Sequence, residues 1–124
     1  MQSVEALIYI DTDTLLLDDI AKLWKTFSLF NQYQFVAMTS EDESAYKSYY
    51  YKKRLIPFYG KYGLAAGVLL MNLTRMRQFE FSRKIISIYE KYKNRLKYGD
   101  QCILNIFFHF HPDIIYIYIY YLYF

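Results

Sequence analysis

The sequence has 124 residues and a mass of 15.1 kDa, room for one domain with a modest core. A net charge of +3 and a pI near 8.8 are too mild to indicate nucleic acid or an anionic membrane without a clustered patch. The lone Cys102 excludes an internal disulfide, and the 55% apolar content includes sixteen tyrosines, so it overstates the greasy interior.

Ala6–Ile10 is a short apolar, β-prone run ending at Asp-Thr-Asp, which predicts a buried strand feeding a loop, an inner strand of a larger sheet. Asp18 and Asp19 are N-cap candidates for a helix reaching about Phe30, with Ile20, Leu23, Trp24 and Phe27 on one stripe. Residues 34–38 predict a second buried strand, and residues 39–54, polar and tyrosine-rich without a clean period, an irregular surface segment. Pro57, Gly60, Gly63 and Gly67 punctuate the next stretch, and residues 68–71 predict a third buried strand. Thr74 is a cap candidate for a long helix to about Leu96, with Met76, Phe79, Ile86 and Tyr89 on its apolar stripe. Gly99 breaks the chain, Asp100 can cap a short helix over residues 101–108, and His111-Pro112 ends it. Residues 114–120 alternate Ile and Tyr as a strand would. Strands alternating with helices predict an α/β layered architecture.

The first residues lack a basic region followed by a long apolar one, so no signal peptide is read. The apolar tail over residues 114–124 has about half of the ~20 residues that a spanning helix requires. By these signals alone the chain reads as cytosolic. The tail is β-prone, uncharged and free of Pro and Gly, the composition of an aggregation-prone strand.

Asp11-Thr12-Asp13 places two carboxylates, one residue apart, at a strand's end, where both can reach one hard cation. A polar loop whose aspartates cap the next turn is the alternative. Asp100 is likewise readable as a plain helix N-cap. His109 and His111 would share a face if they lay on a strand, but a turn beside Pro112 is the simpler reading. Asn72-Leu73-Thr74 forms a glycosylation sequon at a strand end. Residues 47–62 interleave tyrosines with Lys and Arg, which suits either a solvated loop or stacking on single-stranded nucleic acid.

Three segments in one order carry a resemblance. Tyr9-Ile10-Asp11-Thr12-Asp13, followed by apolar residues and Asp18-Asp19-Ile20, resembles the metal-binding motif of retaining family-8 glycosyltransferases. Residues 57–63 (PFYGKYG) and 67–77 (GVLLMNLTRMR) are similar to a segment of the glucoside xylosyltransferases, and residues 98–105 (YGDQCILN) resemble their Gly-Asp-Gln-x-Leu-Leu-Asn stretch. The likeness runs to about Asp113.

The resemblance implies part of a GT-A fold, a mixed sheet flanked by helices, over residues 1–124, with residues 114–124 a divergent aromatic tail. It implies a UDP-xylose-dependent retaining transferase that adds α-linked xylose to O-glucose on proteins, in the Golgi or endoplasmic reticulum. Asp11 and Asp13 would hold Mn²⁺ against the UDP phosphates. Thr12, Ala65, Ala66 and Gly67 would lie beside the donor sugar. Asp100 would bind its hydroxyls, and Gln101 would lie near the anomeric carbon. The implied partners are a nucleotide sugar and an O-glucosylated protein, with no nucleic acid, and with a membrane only through an anchor absent from this chain.

Relatives usually carry Asn where this chain has Ala65, and a second Asp where it has Cys102. The family's upstream nucleotide-binding units and downstream His segment have no counterpart here. The expectation is therefore an incomplete, association-prone catalytic domain, inactive as given; the alternative is a non-catalytic remnant of such an enzyme.

Overall fold

A computed structural model describes residues 4–41, 49–53 and 55–118. Four strands form one mixed sheet: β1 (Ala6–Ile10), β2 (Val36–Ser40), β3 (Leu64–Asn72) and β4 (Ile115–Ile117), in the order β1-β3-β2-β4. β3 runs antiparallel to β1 and β2, and β4 runs parallel to β2. The helices are α1 (Ile20–Trp24), α2 (Tyr49–Lys53), α3 (Leu73–Gln78), α4 (Phe81–Tyr92) and α5 (Asp100–Phe110).

β3 is an apolar run because both its faces are covered. On one side Leu64, Ala66 and Leu69 pack with Val36, Met38 and Ile115 against Phe107 and Phe108 of α5, flanked by α3 and α4. On the other, Val68, Leu70 and Ala37 meet Leu23 of α1, Phe27 and Phe30. The α/β class expected from the sequence is the class observed.

The register changes within β3. From Ala37 to Thr39 is two steps of β2, yet their partners Leu70 and Ala65 are five steps apart on β3. The difference of three is odd, and side chains alternate with period two, so the strand exchanges faces across the irregularity. Leu64 and Ala66 therefore share a core with Leu69, while Val68 joins the opposite one.

Several local expectations are corrected. β1 pairs only with β3 among the described residues, which leaves it at the edge of the described sheet. The first helix is capped by Asp19, whose carboxylate accepts from Ala21 N–H at 2.9 Å, but tightens into a 3₁₀ turn after Trp24. Its buried residue is Leu23, while Ile20 and Trp24 are exposed. The long helix expected from Thr74 is two. Asn72 caps α3, its side chain accepting from Arg75 N–H at 3.1 Å, which places the sequon's amide in a structural role. The break falls at Glu80, in the left-handed region at φ 57°. The new phase of α4 turns Phe81, Ile85 and Ile88 to the core and leaves Ile86 and Tyr89 exposed. Residues 49–53 of the supposed irregular segment form α2, with Tyr50 wholly buried; residues 42–48 and 54 lie outside the described residues.

The aromatic tail is corrected too. Ile114, Ile115 and Tyr118 are buried, and the Tyr118 hydroxyl donates to Val68 O at 3.0 Å. The described part of the tail is a packed strand; residues 119–124 lie outside the described residues. No described helix is long and apolar enough to cross a membrane.

Candidate donor-sugar and metal site

The irregularity in β3 is the hub of the candidate site. A bulge leaves backbone groups outside the ladder, and buried ones must find partners elsewhere. Ala66 N–H donates to the Gln101 side-chain Oε1 at 3.2 Å. On the other side of β3 the ladder with β1 continues one step past the Ile10–Val68 pair, where Gly67 C=O accepts from Asp11 N–H at 2.9 Å. Two adjacent residues of one strand thus hold both the loop after β1 and the first turn of α5. Asp11, Ala66, Gly67 and Gln101, dispersed along the sequence, are brought together by backbone hydrogen bonding.

α5 is fastened to the same strand by Asn105, which is fully buried. Its Oδ1 accepts from Leu64 N–H at 2.7 Å, and its Nδ2 donates to Leu64 O at 3.0 Å and to Gln101 O at 2.9 Å. Gly63, just before, has φ 87°, and a Cβ there would run into the Tyr50 ring and meet Asn105 Oδ1 at 3.1 Å. A glycine is required at this turn on both counts.

Asp11 begins a tight turn, its carbonyl accepting from Thr14 N–H at 3.1 Å. Its Oδ1 accepts the Tyr9 hydroxyl at 2.7 Å. That hydrogen bond, followed by the Asp11 charge and then by smaller contributions from Asp100 and Asp13, holds the Tyr9 phenol above its ordinary value. Carboxylates from the β1 loop and from α5 therefore act on one exposed hydroxyl. Thr12, Asp13 and Asp100 are solvent-exposed, Asp11, Ala65 and Gly67 half-buried, and Ala66 buried. Asp100 is the first residue of α5, with Gly99 in the capping position, and its Oδ1 accepts from Gln101 N–H at 2.9 Å.

Asp11 and Asp13 offer carboxylate oxygens, the donor type a hard divalent ion takes, and Asp11 Oδ2 and both Asp13 oxygens face no ion-pair partner among the described residues. The pair fits such an ion as part of its shell. Among the described residues, no three His, Cys, Asp or Glu side chains are grouped as a metal cluster. His109 and His111 do not contribute: they sit at the far end of α5, not on a strand. The His109 ring faces Phe58 O at 3.0 Å, and His111 packs between Phe79 and Phe107, where burial lowers its pKa.

Two residues of the site were given no role in the sequence reading. Tyr9 was legible in principle, since residues two apart on a strand share a face. Glu41, whose Oε2 accepts from Gln101 Nε2 at 2.8 Å, carries no local signal, because its partner is 60 residues away.

The sequence model of Glycosyl transferase family 8 matches residues 1–123. Glucoside xylosyltransferase 2 of Xenopus laevis is 38% identical over 129 residues, covering 95% of this chain and 30% of that protein. The Mus musculus glucoside xylosyltransferase 2 is 36% identical, covering 95% and 29%. Among solved structures, mouse xyloside xylosyltransferase 1 in its apo form shares the fold, with a TM-score of 0.72 at 22% identity over 95% of this chain and 46% of that one. The galactosyltransferase LgtC, solved with donor and acceptor sugar analogues, superposes with a TM-score of 0.65 at 28% identity over 86% of this chain and 37% of its own. The chain spans about 30% of the length of the curated relatives it matches.

Proposed function

The chain belongs to glycosyl transferase family 8, and we propose that it carries the donor-sugar and metal region of a retaining xylosyltransferase that uses UDP-xylose and acts on O-glucosylated proteins in the secretory pathway. Its sheet, with helices on both faces, is a GT-A glycosyltransferase architecture. The observation that carries the reading is the bulged pair Ala66–Gly67. It binds the Asp-Thr-Asp loop through Asp11 and the α5 segment through Gln101, so the segments that resemble the glucoside xylosyltransferases converge on one strand.

On this reading Asp11 and Asp13 hold a divalent cation such as Mn²⁺, which supplies charge neutralisation for a departing diphosphate. Thr12, Ala65, Ala66 and Gly67 line the donor sugar. Asp100, exposed at the start of α5, accepts hydrogen bonds from sugar hydroxyls. Gln101 faces the anomeric carbon with the Oε1 lone pair that its contacts to Ala66, Glu41 and Tyr50 leave free. The bulge keeps these groups at fixed separation, and positioning of that kind is where binding becomes rate.

Calorimetry of UDP binding with and without Mn²⁺, paired with a UDP-xylose hydrolysis assay, tests the proposal. Metal-dependent UDP binding with turnover supports it; binding that ignores metal counts against it. A second reading, a family member that binds the nucleotide sugar but does not transfer it, is favoured by Ala65 standing where relatives usually have Asn. Metal-dependent UDP binding without turnover would select it.

A further inference from the structure

We propose that Glu41 is a positioning residue, whose carboxylate fixes the side-chain amide of Gln101 in the one orientation that the bulge at Ala66 accepts and so presents it to the donor sugar. The inference rests on the reading of Gln101 as a donor-sugar residue, and it adds a residue which that reading does not contain.

A glutamine amide can be turned over, because its oxygen and nitrogen ends have nearly the same shape. Here the choice is forced from both sides. Oε1 accepts from Ala66 N–H at 3.2 Å, while Nε2 donates to Glu41 Oε2 at 2.8 Å. Turned over, the amide would set N–H against N–H and a carbonyl against a carboxylate, losing both bonds and adding repulsion. Ala66 alone fixes one end; at the other, the Glu41 carboxylate supplies the charged contact beside a weaker one to the Tyr50 phenol, and together they stop rotation about the last side-chain bond.

Glu41 is itself tethered. It follows β2 directly, and its backbone N–H donates to Gly63 O at 2.8 Å, at the entrance to β3. Gln101 is held at its main chain by Asn105, which donates to its carbonyl at 2.9 Å. The pair therefore links the end of β2 to the first turn of α5 across the bulged strand. Both anchors belong to the rigid sheet and helix, so the amide inherits their positions.

The contact also has an electrostatic consequence. A hydrogen bond to a carboxylate is charge-assisted, and it polarises the amide so that Oε1 gains negative character. The Gln101 side chain also hydrogen-bonds the Tyr50 phenol, so what remains for a ligand is one Oε1 lone pair. An oxygen enriched in this way suits a position beside a sugar carbon that becomes electron-poor as the diphosphate departs.

The test uses the full-length protein, with two readouts: hydrogen exchange at the Ala66 amide by NMR, and UDP-xylose hydrolysis with kcat and KM separated. Glu41→Ala is expected to speed Ala66 exchange about tenfold and to lower kcat about tenfold with KM little changed, the factor one charge-assisted hydrogen bond carries. Glu41→Gln keeps an acceptor oxygen without the charge, so it restores most of the Ala66 protection and part of kcat. If Glu41→Ala does not fold, Glu41→Asp, one methylene shorter, must show both changes in smaller measure. Unchanged Ala66 exchange overturns the proposal, and so does faster exchange with kcat intact, since Glu41 would then be structural support alone. The underlying reading fails separately: Gln101→Ala with unaltered kcat would remove Gln101 from the sugar site, whatever Glu41 does to Ala66.

Discussion

The backbone N–H of Asp11 donates to the carbonyl oxygen of Gly67 at 2.9 Å, so the first acidic residue of the Asp-Thr-Asp loop is held by the strand that carries the candidate sugar-contacting residues. A main-chain bond of this kind fixes the start of the loop whatever side chains follow it. The carboxylates then differ in their freedom: Asp11 is half-buried and engaged by Tyr9, and Asp13 is exposed.

From that difference, Asp13→Asn is expected to remove the metal dependence of UDP binding while leaving the fold intact, because its side chain supports no structural contact among the described residues. Calorimetry with and without Mn²⁺ on the variant and the parent protein checks this. Equal UDP affinity in both conditions for the parent would sink the metal assignment.

Ala65 pairs with Thr39 beside the bulge and is half-buried, next to the Ala66 amide that Gln101 takes up. Introducing the amide that relatives carry, Ala65→Asn, should raise turnover more than it changes UDP affinity. Removal of one transition-state donor typically costs ~10²–10³ in rate, and a contact to a sugar hydroxyl is worth less. A rate in the Asn variant no higher than that of the parent would show that the contact is supplied by another group or that there is no turnover to improve.

Gly63→Ala should be among the most damaging small substitutions. The left-handed backbone alone costs about 1–3 kcal/mol for a residue with a side chain, and overlap with the Tyr50 ring adds to it. Chemical denaturation should show a lower midpoint at unchanged slope. A variant as stable as the parent would mean that Tyr50 repacks freely, contrary to its complete burial.

The Tyr50 phenol is pushed above the ordinary tyrosine range, first by burial and then by neighbouring Cys102. The folded state therefore holds its proton more tightly than the unfolded chain, whose tyrosines titrate near ~10. Its contribution to stability is fully present below about pH 10 and is lost as pH rises from there towards the folded value. Denaturation measured from pH 8 to 11 should show the parent losing stability faster than Tyr50→Phe in the upper part of that range. Parallel pH profiles for the two proteins would exclude this residue as the source.

Deleting residues 115–124 should destabilise the protein rather than improve its solubility. The deletion removes β4, its parallel pairing with β2 at Val36, Ala37 and Met38, and the buried Ile115 and Tyr118. Burial of side chains of this size contributes about 1.5–3 kcal/mol each. Light scattering and a melting curve of the truncated chain decide the matter; a more soluble, equally stable product would show that the strand is dispensable.

The sequence by itself determined the positions of the four strands and the α/β class, because these depend on local signals. Asp19 before Ile20 is a cap wherever the helix points, and Asp-Thr-Asp after an apolar run marks a strand end. The tertiary structure alone decided which residues meet. The phase of α4 followed from the left-handed turn at Glu80, which no local pattern announced, so the stripe read across it was wrong at Ile86 and Tyr89. The tail looked like an exposed liability because composition cannot say whether an apolar strand has a neighbour, and β2 supplies one. The bulge in β3 is a property of pairing between two strands, invisible in either one. Asp11, Ala66, Gly67, Gln101 and Glu41 converge because the β1–β3 ladder runs on to Asp11 and Gly67 just where the bulge against β2 frees the Ala66 N–H, which the distant Gln101 satisfies.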